Sequence, residues 1–515
     1  MPAPASIPRL VLESGDRFGD REALVDGQRR LSFAELATAV RAASAAVIAT
    51  GVDPGDRIGL WAPNSLEWVV SALGLLGAGA VLVPLNTRFK GDEAAYILAK
   101  SGARMAFVAP PFLGADYPAL LGARRAELPA LGDVVSLDPS GWAEFLDRGR
   151  VVSARTVQDR TEAVGSSDIG DIIFTSGTTG KPKGVMTSHG QTLRVFDVWA
   201  DVVGLEMGDR YLIVNPFFHT FGYKAGILAA LLRGATMIPE PIFDVTRVLD
   251  RIDTEQVTVL PGPPTLYQSI LASPERPGRD LGSLRLAVTG AAVVPEELVE
   301  RMRTELKFST VLTAYGLTEA TGVVSMCRAE DGPATIAATS GRAIPETEVR
   351  VVGDAGQPLP IGEPGEVQVR GYNVMRGYFE DPEATAATVD ADGWLHTGDV
   401  GVLDRRGYLR ITDRLKDMYV VGGFNAYPAE IEQVLAGHPA VAESAVVGEP
   451  DVRLGEIGRA FVVPRPGASV DPEELVEWCK QRLANYKVPR AVTFVTALPR
   501  NASGKVLKYE LRQSR

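Results

Sequence analysis

Thr175-Ser176-Gly177-Thr178-Thr179-Gly180-Lys181-Pro182-Lys183-Gly184-Val185 follows Asp171-Ile172-Ile173-Phe174, a short apolar run that reads as a buried strand. Three glycines let the backbone turn sharply and bring its N–H groups against a ligand. Hydroxyls at Thr175, Ser176, Thr178 and Thr179 add donors, and Lys181 and Lys183 add positive charge. Such a loop suits a polyphosphate. It is not a Walker A loop, because no glycine stands five residues before Gly180 and Pro182 follows Lys181. A flexible Gly/Thr surface linker is the plainer alternative, and the order of the eleven residues argues against it. Residues 192–203 read as a helix, which predicts a strand–loop–helix unit around the loop.

Outward from that loop, 515 residues make about three domain-sized units. With 45% hydrophobic and 23% charged residues, the chain is an ordinary globular one that can bury a large core. A net charge of −11 and a pI near 5.2 argue against a nucleic-acid partner, which wants a basic face. Cys327 and Cys479 stand far apart, so neither a disulfide framework nor a zinc site is indicated. Residues 1–16 lack the basic start and apolar core of a secretory signal, and a cytoplasmic location is expected. The uncharged run 68–85 is long enough to weigh as a membrane span. Its Gly74, Gly77, Gly79 and Pro84 favour a buried helix followed by a core strand, and no span is expected.

Strand and helix patterns alternate over residues 1–170, with strands at Arg57-Ile58-Gly59-Leu60-Trp61 and Ala80-Val81-Leu82-Val83-Pro84 and an amphipathic helix over 32–50. This alternation predicts an α/β protein of layered, mostly parallel sheets. No repeat of solenoid period is present. The aromatic segment Asn215-Pro216-Phe217-Phe218-His219-Thr220-Phe221-Gly222-Tyr223-Lys224-Ala225-Gly226 holds one of four histidines. A lone histidine among aromatics is usually a satisfied core residue. Lys224 shares 217–232 with only one other charge-capable side chain, His219, so it needs a polar partner or a route to the surface. Ring ketones of a substrate are one such partner. A helix continuous from His219 sets Lys224 about 140° around from it. Thr258-Val259-Leu260-Pro261-Gly262-Pro263-Pro264 reads as a strand running into a rigid turn. Arg285-Leu286-Ala287-Val288-Thr289-Gly290-Ala291-Ala292 reads as a strand ending in small residues, which admits a flat ligand.

In Val311-Leu312-Thr313-Ala314-Tyr315-Gly316-Leu317-Thr318-Glu319-Ala320, Tyr315 offers a flat face, Thr318 a hydroxyl for phosphate and Glu319 a hard oxygen for Mg²⁺. A helix-capping Thr-Glu is the plainer alternative. Asp399, after Thr397-Gly398, is able to accept from both hydroxyls of a ribose, or else serves as a turn aspartate. The charged cluster Thr412-Asp413-Arg414-Leu415-Lys416-Asp417 reads as a boundary, dividing the chain into 1–413 and 414–515. Near the end, Ser503-Gly504-Lys505 holds a lysine that would ordinarily be a solvated charge.

Taken in this order, the 175–185 loop and the segments around Glu319, Asp399 and Lys505 resemble the adenylate-forming (AMP-binding) superfamily of acyl-CoA synthetases, luciferases and adenylation domains. The resemblance implies a large N-terminal domain with a small mobile C-terminal α/β lid. It also implies that a carboxylate and ATP give an acyl-adenylate, which coenzyme A then takes as a thioester. By that likeness Lys505, Glu319, Thr175 and Lys183 are catalytic, with Mg²⁺ on Glu319. Thr175 through Lys181, Gly290, Ala291, Ala292, Tyr315, Gly316, Thr318, Asp399 and Arg414 bind the nucleotide. His219, Phe221, Tyr223, Lys224 and Gly262 line the acyl pocket; Lys416 is the hinge, and Gly422 and Gly423 border the CoA channel. The combination around 215–226, 260–270 and 419–430 looks most like ligases that activate bicyclic propanoates (methylhexahydroindanediones) from steroid-ring breakdown, with medium- or long-chain fatty acids second. A multimodular synthetase is disfavoured because no carrier domain follows residue 515. The resemblance leaves a homodimer open. A nucleotide-binding module without catalysis, or a kinase-like transferase, is the reading from another class.

Overall fold

Val81–Pro84, Arg57–Trp61 and Met105–Val108 are short, largely apolar runs, and runs buried on both faces suit parallel strands covered by helices; Val134–Ser136 is the more exposed edge strand beside them. They lie side by side in parallel, and Ile169–Thr175 joins them through Leu82 opposite Asp171. The computed structural model describes residues 5–175, 182–290, 294–353, 355–414, 417–421, 424–483, 485–500 and 506–513, with the backbone alone at 413, 414, 420, 424 and 425.

The uncharged run resolves as expected into the helix Leu66–Gly77 and the strand Val81–Pro84. Ser65 starts the helix by accepting a hydrogen bond from the Trp68 N–H at 3.1 Å, and residues 68–77 are all buried. Trp68 packs on Phe217 and Tyr223, at 5.1 and 5.7 Å between ring centroids. The crossover helix thereby fixes the aromatic segment from behind. Truncating such an indole costs about 3–5 kcal/mol. Among the described residues no helix is long and apolar enough to cross a membrane.

A second layer runs Arg29–Ser32, Glu22–Asp26, Thr236–Pro239, Arg210–Ile213, and continues through single parallel bridges at Val259 to Leu286–Gly290 and Thr310–Tyr315. One hydrophobic core joins these layers. An antiparallel sheet follows, made of Thr347–Val352, Gly365–Gly371, Leu395–Leu403 and Leu409–Arg414. The last sheet combines Phe424–Ala426, Tyr419–Val421, Gly455–Pro464 and Val441–Asp451, with Ala491–Phe494 parallel to Gly455–Pro464, over a separate core around Ile431 and Leu475.

The expected strand–loop–helix unit is corrected here. Lys183–Ser188 is a strand antiparallel to Ile169–Thr175, with Thr175 opposite Lys183 and Asp171 opposite Thr187, so the loop closes a hairpin. The helix follows that strand and starts at His189, three residues before the expected 192, and runs to Val203. Ser188 and Gln191 form its reciprocal cap, which stops the strand and starts the helix at one residue. Gly377–Tyr378 then adds to the outer edge of this hairpin.

His189 is buried against Gly170, and its Nδ1 has no hydrogen-bond partner among the described residues. Burial pushes its pKa from the ordinary 6.5 down to about 4; Asp168 opposes this and the charge of Lys224 adds to it. Between those values the unfolded chain binds a proton that the folded one refuses, so stability falls as pH drops from 6.5 toward 4. Denaturant titrations at pH 7.5 and pH 4 should show wild type losing on the order of 3 kcal/mol more than His189→Asn over that interval. Equal losses in the two proteins would refute the assignment.

Candidate active site

Three strands, Ile169–Thr175, Leu286–Gly290 and Thr310–Tyr315, are buried in their interiors and partly exposed at their last residues. Those ends form the edge at which open α/β sheets take ligands. Thr175 Oγ1 lies 3.5 Å from Glu319 Oε1. Glu319 sits in the single turn Thr318–Ala320, where its backbone carbonyl accepts from the Met375 N–H at 2.8 Å. Tyr378 donates its hydroxyl to Glu319 Oε1 at 3.0 Å, and the Lys183 ammonium stands 5.1 Å from the Tyr378 ring centroid. Burial, and then the neighbouring Glu319 carboxylate, push the Tyr378 pKa up, so the phenol keeps its proton. The structure therefore brings together Thr175, Lys183, Thr318 and Glu319. Sequence reasoning missed Tyr378, which reaches the site only through the pairing of Gly377–Tyr378 with Met186 and Val185.

Beside this cluster, Tyr315 donates its hydroxyl to Asp399 Oδ2 at 2.5 Å. The pair sets an aromatic face next to a carboxylate that is almost fully buried. Two glycines keep the neighbourhood flat. A Cβ at Gly290 would lie 2.8 Å from Ala314 O, and one at Gly316 would lie 2.0 Å from Gly322 O. Arg414 pairs with Asp399 across the strands Leu395–Leu403 and Leu409–Arg414. Ser176, Gly177, Thr178, Thr179, Gly180, Lys181, Ala291, Ala292, Lys416, Gly422, Gly423 and Lys505 lie outside the described residues, as does the Arg414 side chain.

The aromatic segment is anchored by Asn64, which donates to Ile213 O and Asn215 O at 3.1 and 2.9 Å and accepts from the Phe217 N–H at 2.7 Å. Asn215 in turn donates to Pro261 O at 3.1 Å, next to the buried Gly262. Phe221–Leu228 winds as a π-helix, a rare form that concentrates at functional sites. Gly222 presses onto the turn before it: a Cβ there would lie 2.2 Å from Pro216 O and 2.4 Å from Asn215 O.

The five residues expected in the acyl pocket divide accordingly. His219 is solvent-exposed and Phe221 half-buried. The protein on the inner side of the imidazole partly desolvates it and holds its pKa below the ordinary value. Tyr223 and Lys224 face the core instead. The Lys224 ammonium sits 2.9 Å from Asp171 Oδ1 and 2.7 Å from Thr187 Oγ1, with both charged side chains 1% exposed. Its polar partner is thus a carboxylate of the protein, and neither a substrate ketone nor a surface route is needed. The sequence reading took Asp171 for one more residue of an apolar strand. A lone carboxylate among Ile169, Ile172 and Ile173 was the signal that a cation must meet it.

Residues 11–379 match the AMP-binding enzyme family and residues 430–505 match the AMP-binding enzyme C-terminal domain. The chain belongs to the AMP-binding enzymes. It is 50% identical over 521 aligned residues to a 3-(7a-methyl-1,5-dioxo-octahydro-1H-inden-4-yl)propanoyl:CoA ligase of Rhodococcus jostii, covering 99% of both chains. The Mycobacterium tuberculosis enzyme of that name is 52% identical, over 99% of this chain and 98% of its own. Among solved structures, ATP-bound MatB from Rhodopseudomonas palustris superposes with a TM-score of 0.88 at 32% identity, covering 98% of each chain.

Gly222→Ala tests the close approach at the AMP-binding enzyme's aromatic segment. A methyl group driven into the Pro216 and Asn215 carbonyls should lower the unfolding free energy by at least about 2 kcal/mol in denaturant titration. A variant as stable as wild type would show that the π-helical segment does not press on that turn.

Proposed function

We infer that the protein is an ATP-dependent, AMP-forming acyl-CoA synthetase whose acid is a bicyclic diketo propanoate of the methylhexahydroindanedione type. The observation that carries the reaction class is the meeting of Thr175, Lys183 and Glu319 at strand ends, with the Tyr315–Asp399 pair on the segment that leads to Glu319. Full-length identity of 50 and 52% to ligases named for that acid supports the substrate.

The physical difficulty of the first half-reaction is that an anionic carboxylate must attack an anionic α-phosphate. Tyr315, Gly290 and Gly316 provide a flat slot for the adenine, and Asp399 accepts from the ribose hydroxyls. The 176–181 loop and Lys183 donate to the phosphates and offset their charge. His219 and Phe221 wall the acid so that its carboxylate faces the α-phosphorus, which substitutes positioning for collision. Glu319 and Thr175 offer only oxygen donors, the set that Mg²⁺ prefers alongside substrate phosphates, and would hold that ion. When bound, Mg²⁺ supplies positive charge to the phosphate oxygens.

Residues 414–515 act as the lid, with Lys416 as hinge. Lys505 serves adenylation and then leaves, and Gly422 and Gly423 come to border the route of the CoA thiol. Two buried free cysteines and the two co-substrates suit a cytoplasmic enzyme.

ATP–pyrophosphate exchange across a panel of acids, followed by thioester detection with CoA, tests the reading. The bicyclic diketo propanoate should exchange faster than octanoate or palmitate. The reverse order would move the substrate to fatty acids, and no exchange with any acid would refute the enzyme class. Lys505→Ala should slow adenylation by roughly 100-fold or more, the scale of one lost transition-state donor. It should leave CoA transfer from supplied acyl-adenylate near the wild-type rate. Equal loss in both half-reactions would rule out the departing lysine.

A further inference from the structure

The charge pair Lys224–Asp171 plays no part in the chemistry above, yet it joins the two walls that the chemistry needs. Thr187 accepts from the Lys224 ammonium at 2.7 Å and donates to Asp171 Oδ1 at 2.8 Å. Asp171 and Thr187 face each other across the hairpin whose far end is the pair Thr175 and Lys183. Lys224 belongs to the π-helix Phe221–Leu228, which carries Phe221 and follows His219. One ammonium therefore clamps both strands of the phosphate hairpin to the wall of the acid cleft.

Stability alone is a poor account of this cluster. A buried ion pair often contributes less than apolar side chains of equal volume. Here the cluster is also incompletely satisfied. Asp171 Oδ2 and the Tyr223 hydroxyl are buried without a hydrogen-bond partner among the described residues. Partly satisfied buried networks cost free energy. What the pair provides that packed methyl groups do not is direction, since two hydrogen bonds fix where the ammonium sits.

We propose that Lys224 and Asp171 are positioning residues that hold His219 and Phe221 in register with Thr175 and Lys183, so that the acid meets the α-phosphate in line. The proposal rests on the acyl-CoA synthetase reading and names a specific device within it. Neither residue touches a reactant.

The test compares wild type with Lys224→Met, Asp171→Leu and the double variant, all as full chains. Tm is measured beside kcat and both KM values in ATP–pyrophosphate exchange, with the bicyclic diketo propanoate and with octanoate. Each single variant strands a buried charge and should lower Tm. The double variant should regain the wild-type Tm while kcat stays down roughly 100-fold, the scale of a 1 Å misplacement. KM for ATP should stay near wild type. Recovery of both Tm and kcat in the double variant overturns the proposal, because the pair is then only structural. If the double variant does not fold, Thr187→Val decides: it removes one hydroxyl of the clamp, and an unchanged kcat overturns the proposal. Absence of exchange by wild type with every acid overturns the enzymatic reading, and the proposal falls with it.

Discussion

The antiparallel pairing of Ile169–Thr175 with Lys183–Ser188 is the constraint on which the site depends. Ile169–Thr175 belongs on one side to a parallel sheet, through Asp171 opposite Leu82, and on the other to this hairpin. The loop between them is therefore rooted at both ends, at Thr175 and Lys183, in a sheet that is itself rooted in the core. A strand–loop–helix unit would tie down only its strand side. The hairpin's outer edge then recruits Gly377–Tyr378, which is what carries the Tyr378 phenol to Glu319. The Thr175–Lys183 end of the hairpin, the Glu319 carboxylate and the phenol that binds it thus meet at one place.

Charge in the site is local and runs against the character of the whole molecule. The chain carries a net charge of −11, and its substrates are anions. At short range a few donors dominate, because interactions across solvent fade within about 10 Å. Lys183 stands at the hairpin's end, while Lys224, inside the aromatic segment, is neutralised by Asp171. The protein thus separates a half-buried lysine at the hairpin's end from one sealed in the core, and burial makes the distinction.

Much of this was legible in the chain. Motifs at 175–185, 315–319 and 399 give the family, and patterning gives the buried helix and strand between 66 and 84. The errors share one cause: local patterns do not report partners. Gly184 through Ser188 does not alternate as a strand, and the helix pattern over 192–203 favoured a helix-bound unit. Lys224 looked like a lysine in need of a ligand because Asp171 lies 53 positions earlier, inside an apolar strand. Tyr378 carried no signal in the sequence, and only a two-residue pairing places it. The π-helix was also beyond reach, since a helix continuous from His219 assumes 3.6 residues per turn and Phe221–Leu228 does not keep that period.

His219 shows how the same environment that limits a charge makes a useful donor. Its Nδ1 accepts from the Phe221 N–H at 3.3 Å, so in the neutral ring the proton lies on Nε2. Desolvation holds its pKa below the ordinary value, and the ring stays neutral near pH 7. An imidazolium would pair with the acid's carboxylate and blunt its attack on the phosphate. In the proposed reaction a neutral Nε2–H would orient the carboxylate at less cost to its nucleophilicity, with the offsetting of charge left to other donors. Under that proposal, positioning and activation of the acid fall to different elements: the aromatic segment would aim the nucleophile, and the hairpin would lower the barrier it faces.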